Sequence, residues 1–432
     1  MNAQSFAPGP LDPAFGQNGW TDVPNSLGAT AIGVSSIAQD TNGNTYYGCT
    51  ALLTSTWEFG CFCLTPNGSL VTKFGNGGFA SGQFSSIGGR DHSRVESILL
   101  QPVQGVLHIL LAGEYKVPDV SAPKLAVARL DSNGDLDLRF GNKGTIVHDL
   151  PASPAGRGSV RPPSARKSSS ESAGVQAIVL PDEKVLLVYR SGNVSYVVRL
   201  EPDGALDTKF NGVGYIEVQE TGGELALTSV MQTTDGRYLC AGEVWDSAGV
   251  GHALFVKFDQ AGKPDNSFAV SGRLVVSDPN GRNFAVSHLA QQGNNRIFAT
   301  GGSFDGTSLR ALMLSLESDG KFNIQFNSGK PQEYQVNFGN TDAHAGYMQP
   351  DGKLLVAGSV DSSSGNELNA VFLRFLPNGS LDKSLGGDGV LQYTDSSHGS
   401  FATFFMPGKV LFHNYSSYAT NRINKIWSGL IA

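Results

Sequence analysis

Leu200-Glu201-Pro202-Asp203-Gly204-Ala205-Leu206-Asp207-Thr208-Lys209-Phe210-Asn211-Gly212 decides how the chain is built, because weaker copies of it recur from end to end. Aligned on the aromatic that closes each copy, the anchors are Phe15, Phe74, Phe140, Phe210, Phe268 and Phe326, with Leu385 in the seventh. Successive anchors lie 59, 66, 70, 58, 58 and 59 residues apart. A fixed period of this length marks a repeat architecture, and it sets the fold before any single element is read.

A second landmark recurs upstream of each motif: a turn followed by an apolar run, as in Asp235-Gly236-Arg237-Tyr238-Leu239-Cys240-Ala241-Gly242 and Asp351-Gly352-Lys353-Leu354-Leu355-Val356-Ala357-Gly358. Asp-Gly between apolar runs supplies the positive φ of a tight hairpin, so each landmark reads as strand, turn, strand. The first strands are expected at 33–38, 94–99, 174–179, 226–231, 284–289, 343–348 and 401–405. A third strand leads into the motif, as at 125–130, 196–200, 254–258, 312–316 and 371–375, and a fourth follows it, as at 215–218 and 274–276.

Four short antiparallel strands per repeat, seven times over, predict an all-β fold: a seven-bladed β-propeller of four-stranded antiparallel blades. The ends of the chain support a closed ring over an open solenoid. After Leu385 there are 47 residues and up to Phe15 there are 15, together one ordinary repeat of 62. The N-terminal strand is therefore expected to complete the C-terminal blade and remove two sheet edges. Residues 1–432 are read as one domain, with 151–172, rich in Pro and Ser and carrying Arg157, Arg161, Arg166 and Lys167, as a flexible loop insertion. A shorter insertion spans 114–123.

Composition narrows the partners. With 54 Gly and only 16% charged residues, the chain suits strands and tight turns better than helices. A net charge of −7 argues against nucleic acid, which requires a basic surface. No apolar run reaches the roughly 18 residues of a membrane span, and the start, Met1 to Pro10, has neither a basic nor an apolar leader region. The expectation is a monomer without a cleavable signal, cytoplasmic or exported by a leaderless route. Cys49, Cys61, Cys63 and Cys240 are too few for a disulfide scaffold; they read as thiols, with a hairpin disulfide or a metal as lesser alternatives.

Within the motif each residue type has a physical task. Pro-Asp-Gly makes the turn, Leu206 and its equivalents Leu70, Leu136 and Leu381 are expected to plug the core, and Phe210 with its equivalents to pack between blades. Asp207, with Asp12, Asp137, Asp265 and Asp382, is placed to accept amides of the following turn. The pattern Arg-Leu-x-Pro-Asp-Gly-x-Leu-Asp-x-x-Phe-Gly, clearest at 199–210 and 374–385, resembles the delta-60 repeat of bacterial proteins. That resemblance covers nearly the whole chain and implies a propeller, with no settled activity.

A residue repeated seven times is structural, so function is sought where one repeat differs from its siblings. Arg90, Asp91, His92, Arg94 and Glu96 form a charged cluster without counterpart, and His288 and His344 fall on first strands where they could line a channel. These are the candidate ligand-binding residues; no catalytic triad or nucleophile elbow is present, and no catalytic residue is assigned. Asp131, Asn133, Asp135 and Asp137 alternate oxygen donors as a calcium loop does, yet Gly134 comes too early and no Glu closes the loop, so no cofactor is expected beyond this weak calcium candidate. The leading function is a non-enzymatic scaffold presenting blade loops to a protein or glycan. The alternatives are a hydrolase or lyase acting at the channel mouth through Asp91, His92, Glu96 or His344, and a structural module of a secreted or surface assembly.

Overall fold

The structure is a computed structural model that describes residues 8–54, 56–85, 92–117, 123–151, 174–221, 223–337, 339–361, 368–393, 402–415 and 424–431. The 151–172 insertion, apart from Pro151, and the tip of the 114–123 insertion lie outside the described residues. Among the described residues the protein is all β, with one 3-10 turn at Asn327–Gly329, and no helix is long and apolar enough to cross a membrane.

A short strand, β1 (Trp20–Asp22), precedes groups of four. They are β2 (Ala31–Gln39), β3 (Thr45–Leu53), β4 (Thr56–Leu64) and β5 (Phe79–Gly82); β6 (His92–Val103), β7 (Val106–Lys116), β8 (Lys124–Leu130) and β9 (Thr145–His148). Next come β10 (Gln176–Val179), β11 (Val185–Ser191), β12 (Val194–Leu200) and β13 (Tyr215–Val218); β14 (Glu224–Gln232), β15 (Tyr238–Trp245), β16 (Gly251–Phe258) and β17 (Arg273–Val276). Then follow β18 (Asn283–Gln291), β19 (Ile297–Phe304), β20 (Leu309–Leu316) and β21 (Gln332–Tyr334); β22 (Thr341–Met348), β23 (Leu354–Asp361), β24 (Leu368–Phe375) and β25 (Val390–Tyr393). The chain ends on β26 (Thr403–Met406), β27 (Lys409–Tyr415) and β28 (Asn424–Leu430).

Five sheets have four antiparallel strands each, while β2 to β9 share an eight-stranded sheet whose two halves meet at one parallel bridge, Trp57 to His92. β1 joins the last sheet in the order β1-β28-β27-β26, with Trp20 opposite Trp427 and Asp22 opposite Lys425. First strands lie side by side: β2 with β6, β6 with β10, β10 with β14, β14 with β18, β18 with β22, and β26 with β2. Tyr347 of β22 stacks on Phe405 of β26 at 5.5 Å. The apolar clusters fill the spaces between successive groups; one unites Leu186 and Val197 with Leu225, Cys240 and Leu254. This is sheet-on-sheet burial, the main favourable term in such a fold.

The motif sits at the end of each third strand. Its aromatic is the plug: Phe15, Phe74, Phe140, Phe210, Phe268, Phe326 and Leu385 are each at most 2% exposed. Each phenylalanine lies under the turn glycine of the next copy, so a Cβ on Gly204 would fall 2.6 Å from the Phe140 ring and one on Gly262 3.0 Å from Phe210. These glycines also hold positive φ, 92° and 82°, which doubly selects Gly. The motif leucines meet the expected plugging in part, since Leu70, Leu206 and Leu381 pack against the apolar clusters from their edges. Leu70, Leu206 and Leu381 are half-buried and Leu136 is 37% exposed, because they bridge back to the last residue of the third strand and cap its end.

The motif carboxylates accept the predicted turn amides: Asp207 Oδ1 from Lys209 N at 3.0 Å, Asp12 from Ala14, Asp265 from Ser267 and Asp382 from Ser384. Their second oxygens receive basic side chains, of which Arg129, Arg199, Arg374 and Lys257 are buried. Arg199 Nε donates to Asp207 Oδ2 at 2.6 Å and Lys184 Nζ at 2.7 Å; Arg129 and His108 hold Asp137, and Arg374 and Lys353 hold Asp382. Lys257 and Arg237 face Asp265, and Lys409 holds Asp12. Arg199 also lies 4.7 Å over the Phe210 ring and donates to Gln260 O of the next turn. Each clasp thus ties strand end, aromatic plug and neighbouring repeat together.

All four cysteines are buried, unpaired thiols. Cys49 stands opposite Gly60, so it shares that residue's face of the hairpin, while Cys61 and Cys63 point into the other cluster. Alternation across the pleat keeps Cys49 away from both.

Candidate functional site

First and third strands of a group run in the same direction, since each is antiparallel to the second. The motifs at the third-strand ends therefore occupy one face, and the starts of the first strands, with His92, Arg94 and Glu96, occupy the other. Arg90 and Asp91 lie outside the described residues.

Five first strands carry a β-bulge at one equivalent position. The register skips Ser35 in β2, Glu96 in β6, Thr228 in β14, Ser287 in β18 and His344 in β22. The preceding residues, Val34, Val95, Leu227, Val286 and Ala343, are at most 1% exposed, whereas all five bulged residues are only half-buried. A bulge re-aims one side chain out of the ladder, and bulges are frequent beside functional sites. Here the bulged residues are a serine, a glutamate, a threonine, a second serine and a histidine; Ser35 Oγ donates to Gly48 O at 3.2 Å and Thr228 Oγ1 to Val286 O at 2.6 Å.

Glu96 stands apart within this set. One carboxylate oxygen takes Arg94 Nε at 2.7 Å, and its side chain is 10% exposed whereas that of Arg94 is 58% exposed. It lies against Gly174 at the start of the next repeat, where a Cβ would fall 2.3 Å from its carboxyl carbon. Burial pushes the carboxyl up to about 7; Arg94 opposes this and Glu114, on the neighbouring strand, reinforces it. Glu114 is itself raised by burial. A carboxyl that exchanges its proton near neutrality is suited to general acid–base work or to ligand binding by either protonation state. Further along the same face, Glu224 and Glu243 are buried, and Arg190 approaches Glu224 at 3.4 Å.

The structure gives the candidate histidines separate partners. His344 Nε2 meets Ser359 Oγ at 3.0 Å. His288 follows the bulge and accepts Gly346 N on Nδ1 at 3.3 Å, and burial lowers its pKa to about 4, so it stays neutral. Gln176 and Ser229 hold the same place in earlier repeats and accept Val230 N at 2.6 Å and Leu289 N at 3.1 Å. His288 thus belongs to a series of inter-strand acceptors, whereas Glu96 and His344 belong to the bulge set. Ser35, Thr228 and Ser287 were missed from sequence; the available signal was a polar residue directly after a buried one at the same offset in successive first strands.

The Asp131 loop is a turn. Asp131 Oδ1 accepts Asn133 N at 2.8 Å and Asp135 N at 3.0 Å, and Asp137 lies in the Arg129 clasp. Among the described residues, no group of three or more His, Cys, Asp or Glu is placed to hold a metal.

The family described as "Domain of unknown function (DUF5122) beta-propeller" matches residues 108–140, 186–210, 233–268 and 349–385. Those segments cover second-strand and motif regions of four repeats. Over those segments the chain is similar to β-propeller repeats.

Among solved structures, the polysaccharide lyase Uly1 is similar with a TM-score of 0.50 at 10% identity, over 96% of this chain and 92% of that one. A sialidase from Trypanosoma rangeli matches at a TM-score of 0.39 and 9% identity, over 95% of this chain and 58% of that one. The intramolecular trans-sialidase from Ruminococcus gnavus matches at 0.36 and 9%, over 95% and 96%. No curated protein sequence matches the chain.

Proposed function

We propose that the chain is a closed seven-bladed propeller that binds a glycan at the channel mouth opposite the motifs, with Arg94, Glu96 and His344 as principal contacts and Ser35, Thr228 and Ser287 as supporting hydroxyls. The observation that carries this reading is the set of five equivalent bulges, which places a polar side chain at one shared position in each of five repeats. Ring closure is supported by the β1 to β28 pairing and by the first-strand contacts that return from β26 to β2. Hydroxyls, a carboxyl and a guanidinium are the groups that recognise sugar hydroxyls by hydrogen bonds. The overall likeness to a polysaccharide lyase is compatible with it.

A second reading, a glycan-cleaving hydrolase or lyase at the same mouth, is favoured by one observation: the carboxyl of Glu96 sits near 7, where a proton donor or acceptor works best. A glycan array followed by calorimetry on the best hit tests the binding reading. Binding weakened about tenfold or more by Glu96→Gln and His344→Ala is expected, and an array without signal overturns it. Incubation of any hit with the protein, followed by chromatography of the products, separates the readings: cleavage lost in Glu96→Gln supports the enzyme, and an intact ligand supports the scaffold.

A further inference from the structure

The motif face breaks its own pattern in one arc. Among the described residues seven large apolar side chains are exposed, and five of them belong to the third to sixth motifs: Leu136 37%, Leu138 70%, Val213 45%, Val270 79% and Ile324 79%. Leu138 and Ile324 hold the position of Pro13, Thr72, Thr208, Asn266 and Lys383 in the other copies. Val213 and Val270 fall in the short loop after the phenylalanine, where the siblings carry residues such as Asn18, Asn76, Asn142, Gly387 and Asp388. Val270 is flanked by Ala269 and Ser271 at positive φ, 45° and 52°, a conformation costly for both.

The same arc carries exposed cations: Lys143, Lys209, Lys263 and Lys330, together with Arg139 and Lys321, which pair with Asp137 and Asp319, against Asp135 and Asp203 as exposed acids. The acids Asp131, Asp259 and Asp319 are less exposed and accept turn amides of their own loops, and Glu201 and Glu317 are paired with Lys184 and Arg296. The first, second and seventh motifs expose Lys73 and Lys383 and none of these apolar side chains. Backbone bonds join the four motifs of the arc in series, Gly141 N to Asp203 O, Asn211 N to Ala261 O and Ala269 N to Asp319 O, at 3.0, 2.9 and 2.8 Å. Equivalent loops linked in this way stand at one level on one face.

We propose that this arc is a peripheral docking face for an anionic lipid bilayer. Separate aliphatic tips at one level, with cations between them, match a planar partner with a negative surface and an apolar interior. A protein groove would instead call for one contiguous apolar patch. The net charge of −7 is no obstacle, because charges beyond about 8 Å are screened at physiological salt and the arc meets the surface first.

Sedimentation with phosphatidylcholine vesicles, with and without phosphatidylglycerol, tests this on the full chain. Binding to the anionic vesicles is expected, weakening at least about tenfold at high salt and to a similar degree in Lys209→Glu/Lys263→Glu. The variant Leu138→Ser/Val213→Ser/Val270→Ser/Ile324→Ser alters only exposed side chains and is expected to keep its melting temperature while losing vesicle binding. Equal sedimentation with both vesicle types, or retention by the serine variant, overturns the proposal. So does a dimer in analytical ultracentrifugation that the serine variant dissociates, since a second copy would then cover the arc.

Discussion

The end of β12 and the end of β4 are the same place in two repeats. Asp207 N donates to Arg199 O at 2.9 Å, and Val71 N donates to Cys63 O at 2.9 Å. At the first, a buried guanidinium and a lysine grip a carboxylate; at the second, a thiol and a valine take the two positions. In the sixth repeat the pair is Ser315 and Asn323, joined by a neutral hydrogen bond of 3.0 Å, and Arg296 turns instead to Glu317 and Gln325. In the first motif Asp12 N donates to Ser428 O at 2.9 Å, so a serine stands at the arginine position and Lys409 supplies the charge. An isolated buried charge is far more costly than either a complete ion pair or an apolar substitute, so the buried guanidiniums Arg129, Arg199 and Arg374 each occur with their carboxylate.

The largest effect follows from breaking one side. Asp207→Ala leaves the buried Arg199 facing no carboxylate, while the half-buried Lys184 keeps Glu201, and is expected to destabilise by about 3–5 kcal/mol in urea unfolding, well above Val71→Ala at about 1 kcal/mol. Arg199→Cys/Asp207→Val, which transplants the second repeat's solution, should cost less than Asp207→Ala alone. A double-mutant cycle with a coupling below about 0.5 kcal/mol would show that the pair is not a unit.

Acid sharpens the same comparison. Burial pushes the Asp207 carboxyl up, but the hydrogen bonds from Lys184 and Arg199 outweigh it and hold the carboxyl at about 2, against an ordinary 3.8. A depressed native value means that the unfolded chain binds the proton first. The stabilisation is whole above 3.8 and is lost as pH falls through about 2, amounting to roughly 2 kcal/mol for this group. Asp12, Asp137, Asp265 and Asp382 are lowered in the same sense, so their losses accumulate. Stability measured from pH about 5 down to 2 should fall less steeply in Arg199→Cys/Asp207→Val than in the native chain.

Hairpins and motif turns were legible because their causes are local: Asp-Gly at a turn and an aromatic at a fixed offset need no knowledge of the partner strand. The eight-residue interval from Arg199 to Asp207 was equally visible, but whether that pair is buried depends on Phe210 and the next turn. The bulges were hidden for another reason. A bulge is a mismatch between two strands, so neither Glu96 nor His344 announces it alone. Leu136 misled because an apolar residue in a recurring place reads as core, and only the packing reveals that it caps a strand end, whereas Leu70, Leu206 and Leu381 do pack against the apolar clusters. Glu96 owes its burial to Gly174, which follows a long insertion in the next repeat, a contact no spacing encodes.

The smallest effect sets Glu96 against Asp207 directly, because the two carboxyls meet arginine on opposite terms. Asp207 is held ionised by two cations, whereas Glu96 has one mostly exposed Arg94, and its burial prevails. Its native value is raised from 4.5 to about 7, so between those values the folded state holds the proton that the unfolded chain releases. Stability therefore declines as pH rises from 4.5 towards 7 and is level above, the reverse of the Asp207 profile. Glu96→Gln, which keeps the shape and removes the charge, should erase that decline and raise stability at pH about 8 by roughly 1–2 kcal/mol, with little change at pH about 4. A variant as stable as the native chain at both values would mean that Glu96 ionises without strain and that its place at the bulge serves packing alone.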